Sequence, residues 1–257
     1  MPIRRQLAPA TIDASHLKSG AIEPGYTKVL ARLLAAHALA EKLTASGYER
    51  ALATVENQSL HHAISKNLAE ERKHALLIYR LLEELGISEM AADRLLLTAC
   101  KGPSFEAPQF FATRASGEID LLMASLSLDM TGLIMISINY RESSYAPHCR
   151  AAEIILEEEA DHDVFGMAGL AEAAKRFGPD RINSALREWV PRAVNFFGPP
   201  DSGFTYECIR LGLKSRDNQE VAELFLEVLE RRLTQLGLVT PQLTDSFPRA
   251  LAARSVN

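Results

Sequence analysis

Apolar residues recur every three or four positions along most of the chain, and no run of alternating β-branched residues bounded by turns interrupts them. The pattern predicts an all-α protein. Leu30, Leu34, His37 and Glu41 share one face of a first long helix, expected from about Tyr26 to Ser46 and ended by Gly47. A second is expected from about Gln58 to Leu85, stopping at Gly86, with Leu60, Ile64, Asn67, Glu71, His74, Ile78, Leu81 and Leu85 inward. After a short helix near Glu89 to Cys100, a third spans about Glu118 to Tyr140 and faces inward with Leu122, Leu126, Asp129, Leu133 and Ile136. The fourth starts near Pro147, a residue suited to a first helical turn, and carries Ala152, Ile155, Glu159, His162 and Gly166 on one side. Beyond it, "RINSALREWV" and "NQEVAELFLEVLERRLTQLG" read as additional C-terminal helices around the loop "FFGPPDSG", and these are expected to brace a four-helix core.

The expected organisation is a flexible N-terminal arm over residues 1–23, one helical domain over 24–243 and a C-terminal tail over 244–257. The most hydrophobic stretch, Leu121 to Ile138, holds Asp129 at its middle and falls short of the roughly 20 apolar residues a bilayer needs, so it reads as a core helix. With 47% apolar and 24% charged residues the composition is that of a globular chain. A formal charge of -5 gives no general attraction to nucleic acid or to an anionic membrane. Cys100, Cys149 and Cys208 are odd in number and widely spaced, which reads as reduced thiols and not as a disulfide framework or zinc knuckle. "MPIRR" is followed by no apolar run of a secretory signal, and a cytoplasmic location is expected.

Six polar residues interrupt the apolar stripes: Glu41, then Glu71 with His74, then Asp129, then Glu159 with His162. The order is one carboxylate followed by Glu-x-x-His, twice. Thirty residues separate Glu41 from Glu71 and Asp129 from Glu159, so each carboxylate should meet its partner if the helices fold back antiparallel. The midpoint of the second pair is Ser144, inside the turn-prone "RESSYAP". A carboxylate from each of two helices plus Glu-x-x-His from each of the other two is the set that holds two iron or manganese ions in ferritin-like bundles. Oxygen donors neutralise and bridge two adjacent cations, imidazoles complete each site, and open positions admit dioxygen.

A single Glu-x-x-His is weak evidence, because glutamate is common and the chain holds seven histidines. Six buried polar groups without a common partner would be costly, and this favours a metal over six independent accidents. His37 lies one turn before Glu41 and is read either as a support for a ligand or as a surface or packing histidine. Glu158, Asp161 and Asp163 are expected on the outer face, with the alternative that Asp161 or Asp163 orients a ligand from a neighbouring helix, and His61 and His62 in solvent. No GxGxxG, P-loop, GxSxG or Cys-His arrangement is present. Electrons for a redox reaction would then come from a separate reductase.

With those residues in place, the chain resembles the phenylacetic acid catabolic protein family, whose catalytic subunits are ferritin-like di-iron monooxygenases of multicomponent phenylacetyl-CoA epoxidases. The resemblance covers roughly residues 24–243. It is carried by "GYTKVLARLLAAHALAE", "EERKHALLIYRLLEELG", "RESSYAPHCRAAEIILEEEADH", "REWVPRAVNFFGPPDSG" and "LTQLGLVTP". The resemblance implies that Glu41, Glu71, His74, Asp129, Glu159 and His162 bind two iron ions and that dioxygen is the co-substrate. It further implies that Arg32, Lys214 and Asn218 contact a CoA moiety, and that a companion structural subunit or a second copy of the chain is a partner. Lys66 stands one residue before the basic position of the family pattern, which is Asn67 here. The expected activity is epoxidation or hydroxylation of an organic substrate such as an aromatic acyl-CoA. The ligand set also suits a hydroxylase or desaturase for a different carboxylic substrate, or a ferritin-like iron-handling protein.

Overall fold

Local signals start and stop the helices where the apolar periodicity alone would leave their ends open. In the computed structural model, which describes residues 8–241 apart from 21, 24, 54 and 100–116, the short α1 (Ala14–Lys18) is capped by Asp13, whose carboxylate accepts from the Ser15 and His16 amides. Next come α2 (Tyr26–Leu52) and α3 (Gln58–Glu84), the latter opened by the Asn57 side chain accepting from Leu60 N at 3.1 Å. Gly86, at φ 78°, follows α3 in the left-handed conformation that ends a helix cheaply. Then come α4 (Glu89–Ala99) and α5 (Glu118–Met135), which runs on through a π-helical turn over Ile136–Tyr140. The longest helix, α6 (Ala146–Phe177), has Pro147 in its first turn and stops at Gly178, φ 83°. α7 (Pro179–Phe196), α8 (Gly203–Arg210) and α9 (Asn218–Gln235) complete the described residues, with capping side chains from Ser202 on α8 and Asp217 on α9.

The described residues are all helical apart from turns and one isolated bridge, and the long helices pack as a bundle. Cross-links along each pair show that the neighbours run antiparallel. Lys42 lies over the Tyr79 ring while Glu49 pairs with Arg72, tying α2 to α3. Leu126 meets Gly166 and Glu118 pairs with Arg176, tying α5 to α6. Between the two hairpins, Lys73 reaches Glu158 and Glu70 reaches His162, so α3 and α6 also lie antiparallel. The apolar stripes meet in one core in which Tyr26, Leu30, Leu34, Ile78, Leu126, Met130, Ile155 and Trp189 are almost wholly buried. Glu118–Tyr140 is long and apolar enough by composition to cross a membrane, but most of it is spent inside this bundle.

Several sequence expectations need correction. Gly47 does not end α2, which continues to Leu52 because Tyr48 is buried on the same face; packing outweighs the small helix penalty of one glycine. Equal thirty-residue spacings place His162 opposite Leu126, but Gly166 takes that place, one helical turn along. The fold-back itself lies at residues 141–145, around Ser144 as expected. Residues 8–20 are not a loose arm: Ala10 N and Ile12 N donate to the Ser143 and Ser144 carbonyls, and Ile12 O accepts from Ala146 N. Residues 1–7, the tail from 244 and Cys100 lie outside the described residues. Cys149 and Cys208 are free and buried.

Candidate metal centre

Each of the four long helices delivers its polar residues to the same interior. The six side chains of Glu41, Glu71, His74, Asp129, Glu159 and His162 are all buried. They form two overlapping sets of four: Glu41, Glu71, His74 and Glu159, and Glu71, Asp129, Glu159 and His162. Within each set the candidate donor atoms lie within 4.8 Å of one another. Glu71 and Glu159 belong to both sets, so they stand where two neighbouring cations would be bridged. Gly132 on α5 faces this carboxylate, and a Cβ there would meet Glu159 Oε2 at 3.4 Å, an ordinary contact with no space to spare for a larger side chain.

The histidines are aimed by two carboxylates, one of which, Glu158, is expected from the sequence on the outer face. His74 Nε2–H donates to Glu158 Oε2 at 2.8 Å, and His162 Nε2–H donates to Glu70 Oε2 at 2.8 Å. The arrangement is reciprocal: in each "EE-x-x-H" motif the first glutamate holds the imidazole of the other helix. Lys73 pairs with Glu158, and Lys66 lies 3.5 Å from Glu70 and 3.6 Å from the exposed Asp161. Each imidazole is thereby left with its Nδ1 inside the cluster. His74 Nδ1 lies 3.7 Å from Glu41 and 3.6 Å from Glu159, and His162 Nδ1 lies 3.6 Å from Glu71 and 3.9 Å from Glu159. Both Nδ1 atoms are buried without a hydrogen-bond partner.

Glu70 and Glu158 are the functional candidates that sequence reasoning missed, and Glu158 corrects an explicit outward assignment. The available signal was the doubled glutamate before each x-x-His. Asp161 is exposed as expected, as are His61 and His62, while the Asp163 side chain lies outside the described set. His37 is buried, not at the surface, and its Nε2–H donates to Glu41 Oε1 at 2.9 Å. Asp129 is held at both oxygens: Tyr48 Oη–H donates to Oδ1 at 2.8 Å and Ser125 Oγ–H to Oδ2 at 3.0 Å.

The electrostatics call for a cation. Burial, reinforced by Glu159, Glu41 and Asp129, pushes the Glu71 carboxyl well above the usual carboxylate range. Burial also works against charge on Glu41, but the hydrogen bond from His37 and the imidazole of His74 nearby overcome it and hold that carboxyl below its ordinary value. Burial likewise opposes charge on His74, yet Glu41 and Glu158 raise its pKa. Four acids and two inward Nδ1 atoms in one dry interior are mutually repulsive or unsatisfied without a positive centre. The oxygen-rich, imidazole-containing donor set therefore fits bound metal ions.

The residues expected to meet CoA gather elsewhere. Arg32 is exposed on α2, nine residues and about 13 Å along the helix from Glu41, with its guanidinium 4.1 Å from the Phe204 ring centre. Lys214 and Asn218 are buried together, Nζ to Oδ1 3.5 Å. Both ends of the Asn218 amide are engaged within the protein, accepting from Thr205 Oγ1 at 3.0 Å and donating to the Pro199 carbonyl at 2.9 Å. Burial lowers the Lys214 pKa from its ordinary value. Asn67, at the family's basic position, is buried on the inner face of α3, while Lys66 points out. No family model matches the chain, and no curated protein matches it.

Proposed function

We propose that the chain is a ferritin-like di-iron oxygenase that uses dioxygen and externally supplied electrons to epoxidise or hydroxylate a small organic substrate, most plainly an aromatic acyl-CoA. The observation that carries this reading is the pair of four-residue sets sharing Glu71 and Glu159, each completed by one inward Nδ1. Two irons bound there would supply the reducing equivalents and Lewis acidity with which dioxygen is activated.

The protein's own groups then have defined tasks. Glu158 and Glu70 hold the His74 and His162 rings so that Nδ1 faces inward. Glu71 and Glu159 would be shared by two cations, while Glu41 and Asp129 would each serve one. Ile155, fully buried, and the half-buried Leu133 stand one helical turn from Glu159 and Asp129 and would help keep bulk water away. Arg32 is the exposed cation that would meet the phosphates of a CoA thioester, with Lys214 buried beside Asn218 behind it, and the choice of that substrate class rests on the resemblance read from the sequence. A separate reductase and a companion subunit or second copy of the chain complete the assembly.

The test is to load the purified chain with ferrous iron under anaerobic conditions, add a reductase and phenylacetyl-CoA, and follow oxygen uptake and product mass. About two irons per chain and a product heavier by one oxygen atom are expected. A chain that takes up no iron, or a Glu159→Ala variant that binds iron and turns over normally, contradicts the reading. Iron uptake far above two per chain with no oxidised product assigns the site to iron handling instead.

A further inference from the structure

Glu41 and Asp129 hold matching places in the two sets but are supported differently. Hydroxyl donors occupy both oxygens of Asp129, whereas Glu41 is anchored at one oxygen by His37. Behind His37 stands a residue that the metal set does not use. His148 is completely buried, its Nε2 lies 3.1 Å from His37 Nδ1, and its own Nδ1 has no partner. The Tyr140 ring, brought inward by the π turn, lies 4.5 Å from the His37 ring and 4.8 Å from the His148 ring.

We propose that His37 is a positioning residue for Glu41 and that His148 fixes its tautomer, forming a directed chain from His148 Nε2–H to His37 Nδ1 and from His37 Nε2–H to Glu41 Oε1. The proposal rests on the metal reading above. A carboxylate can only accept, so His37 must donate through Nε2. Its Nδ1 is then the acceptor for His148 Nε2–H, and the one unsatisfied atom is the His148 Nδ1 lone pair. The opposite order would need an imidazolium at His37 and would strand a buried N–H on His148, the rarer and costlier orphan. His148 is moreover in the first turn of α6, where the positive end of the helix disfavours a charged imidazole. Burial pulls its pKa well below the ordinary imidazole value in the same sense.

The consequence is that Glu41 is tied at Oε1 and presents Oε2 to the metal side, 3.7 Å from His74 Nδ1. Only Oε1 takes a hydrogen bond from a residue outside the cluster, whereas Asp129 takes one at each oxygen. The two metal positions are thereby made unequal.

Cobalt(II) titration with visible absorption, together with nitrogen NMR of labelled histidines, tests this. His37→Leu should weaken one of two bound Co2+ ions by about 10- to 100-fold and alter its absorption band. His37→Gln, whose amide can restore the donor, should recover most of the affinity, and His148→Leu should fall between. In the wild-type protein without metal, both imidazoles should show the Nε2–H tautomer. A folded His37→Leu variant with wild-type affinity and spectrum for both ions overturns the role, and so does an Nδ1–H tautomer at either ring, even if the variant fails to fold. Wild-type protein that takes up no cobalt overturns the metal reading and this role with it.

Discussion

Glu158 and Glu70 commit partly exposed carboxylates to buried imidazoles on the neighbouring helix, and this makes them sensitive points of the centre. Glu158→Ala should weaken metal binding by about 10- to 100-fold while leaving helix content unchanged, as read by metal titration and circular dichroism. Neither residue was legible by face reading, because the position before an inward glutamate lies about 100° round the helix and points toward solvent in isolation. Only the packing of α3 against α6 gives it a histidine to hold. Lys214 presents the opposite case, a buried amine with no carboxylate within ion-pair distance among the described residues. Its pKa is depressed in the folded state, so protonation opposes folding below that pKa, and the cost fades as pH rises toward the ordinary lysine value of 10.5. Lys214→Met should therefore raise stability to urea by about 1 kcal/mol at neutral pH, with the gain shrinking in alkali, while CoA affinity falls.

Helix contacts decide whether the six ligands meet. Gly132, Gly166 and Gly169 let α5 approach α6, and an added Cβ at Gly169 would sit 2.9 Å from Leu122 Cδ2. At Gly132 the nearest neighbour is the Glu159 carboxylate itself, so Gly132→Val should displace that ligand and lower metal affinity more than it lowers the melting temperature of the metal-free protein. Calorimetry and metal titration on the same sample separate the two effects. The long helices and their inward faces were legible in the sequence because each stripe repeats at helical spacing over many turns. The one-turn offset of α5 against α6 was not, since equal chain separations say nothing of where glycines allow close approach or of the π turn at Ile136–Tyr140. The docking of residues 8–12 onto the 143–146 turn was equally hidden, being made by backbone groups that carry no side-chain signature.

At the scale of the whole molecule, the bundle places four acids in one interior and so links folding to metal. Saturating metal, at about 100 times its dissociation constant, should stabilise the fold by about 2.7 kcal/mol and raise the melting temperature by about 5 to 10 °C, and a chelator should reverse the shift. Differential scanning calorimetry of the stripped and reloaded chain reads this directly. Arg32, Lys214 and Asn218 mark a second region, about 13 Å from Glu41 along α2 as measured at Arg32, so a substrate that touches both must be extended. That region was reached from the sequence only through family resemblance, as no periodicity or spacing singles it out.

If two cations share Glu71 and Glu159 while Asp129 serves only one, substitutions at the two kinds of position must differ in effect. Anaerobic ferrous titration of the wild type, Glu71→Ala and Asp129→Ala, with iron counted per chain and magnetic coupling read by Mössbauer spectroscopy, tests it most directly. The wild type should hold about two coupled irons, Asp129→Ala at most one uncoupled iron, and Glu71→Ala should lose the coupled pair. Two coupled irons retained in Glu71→Ala, or a single mononuclear iron in the wild type, would contradict it.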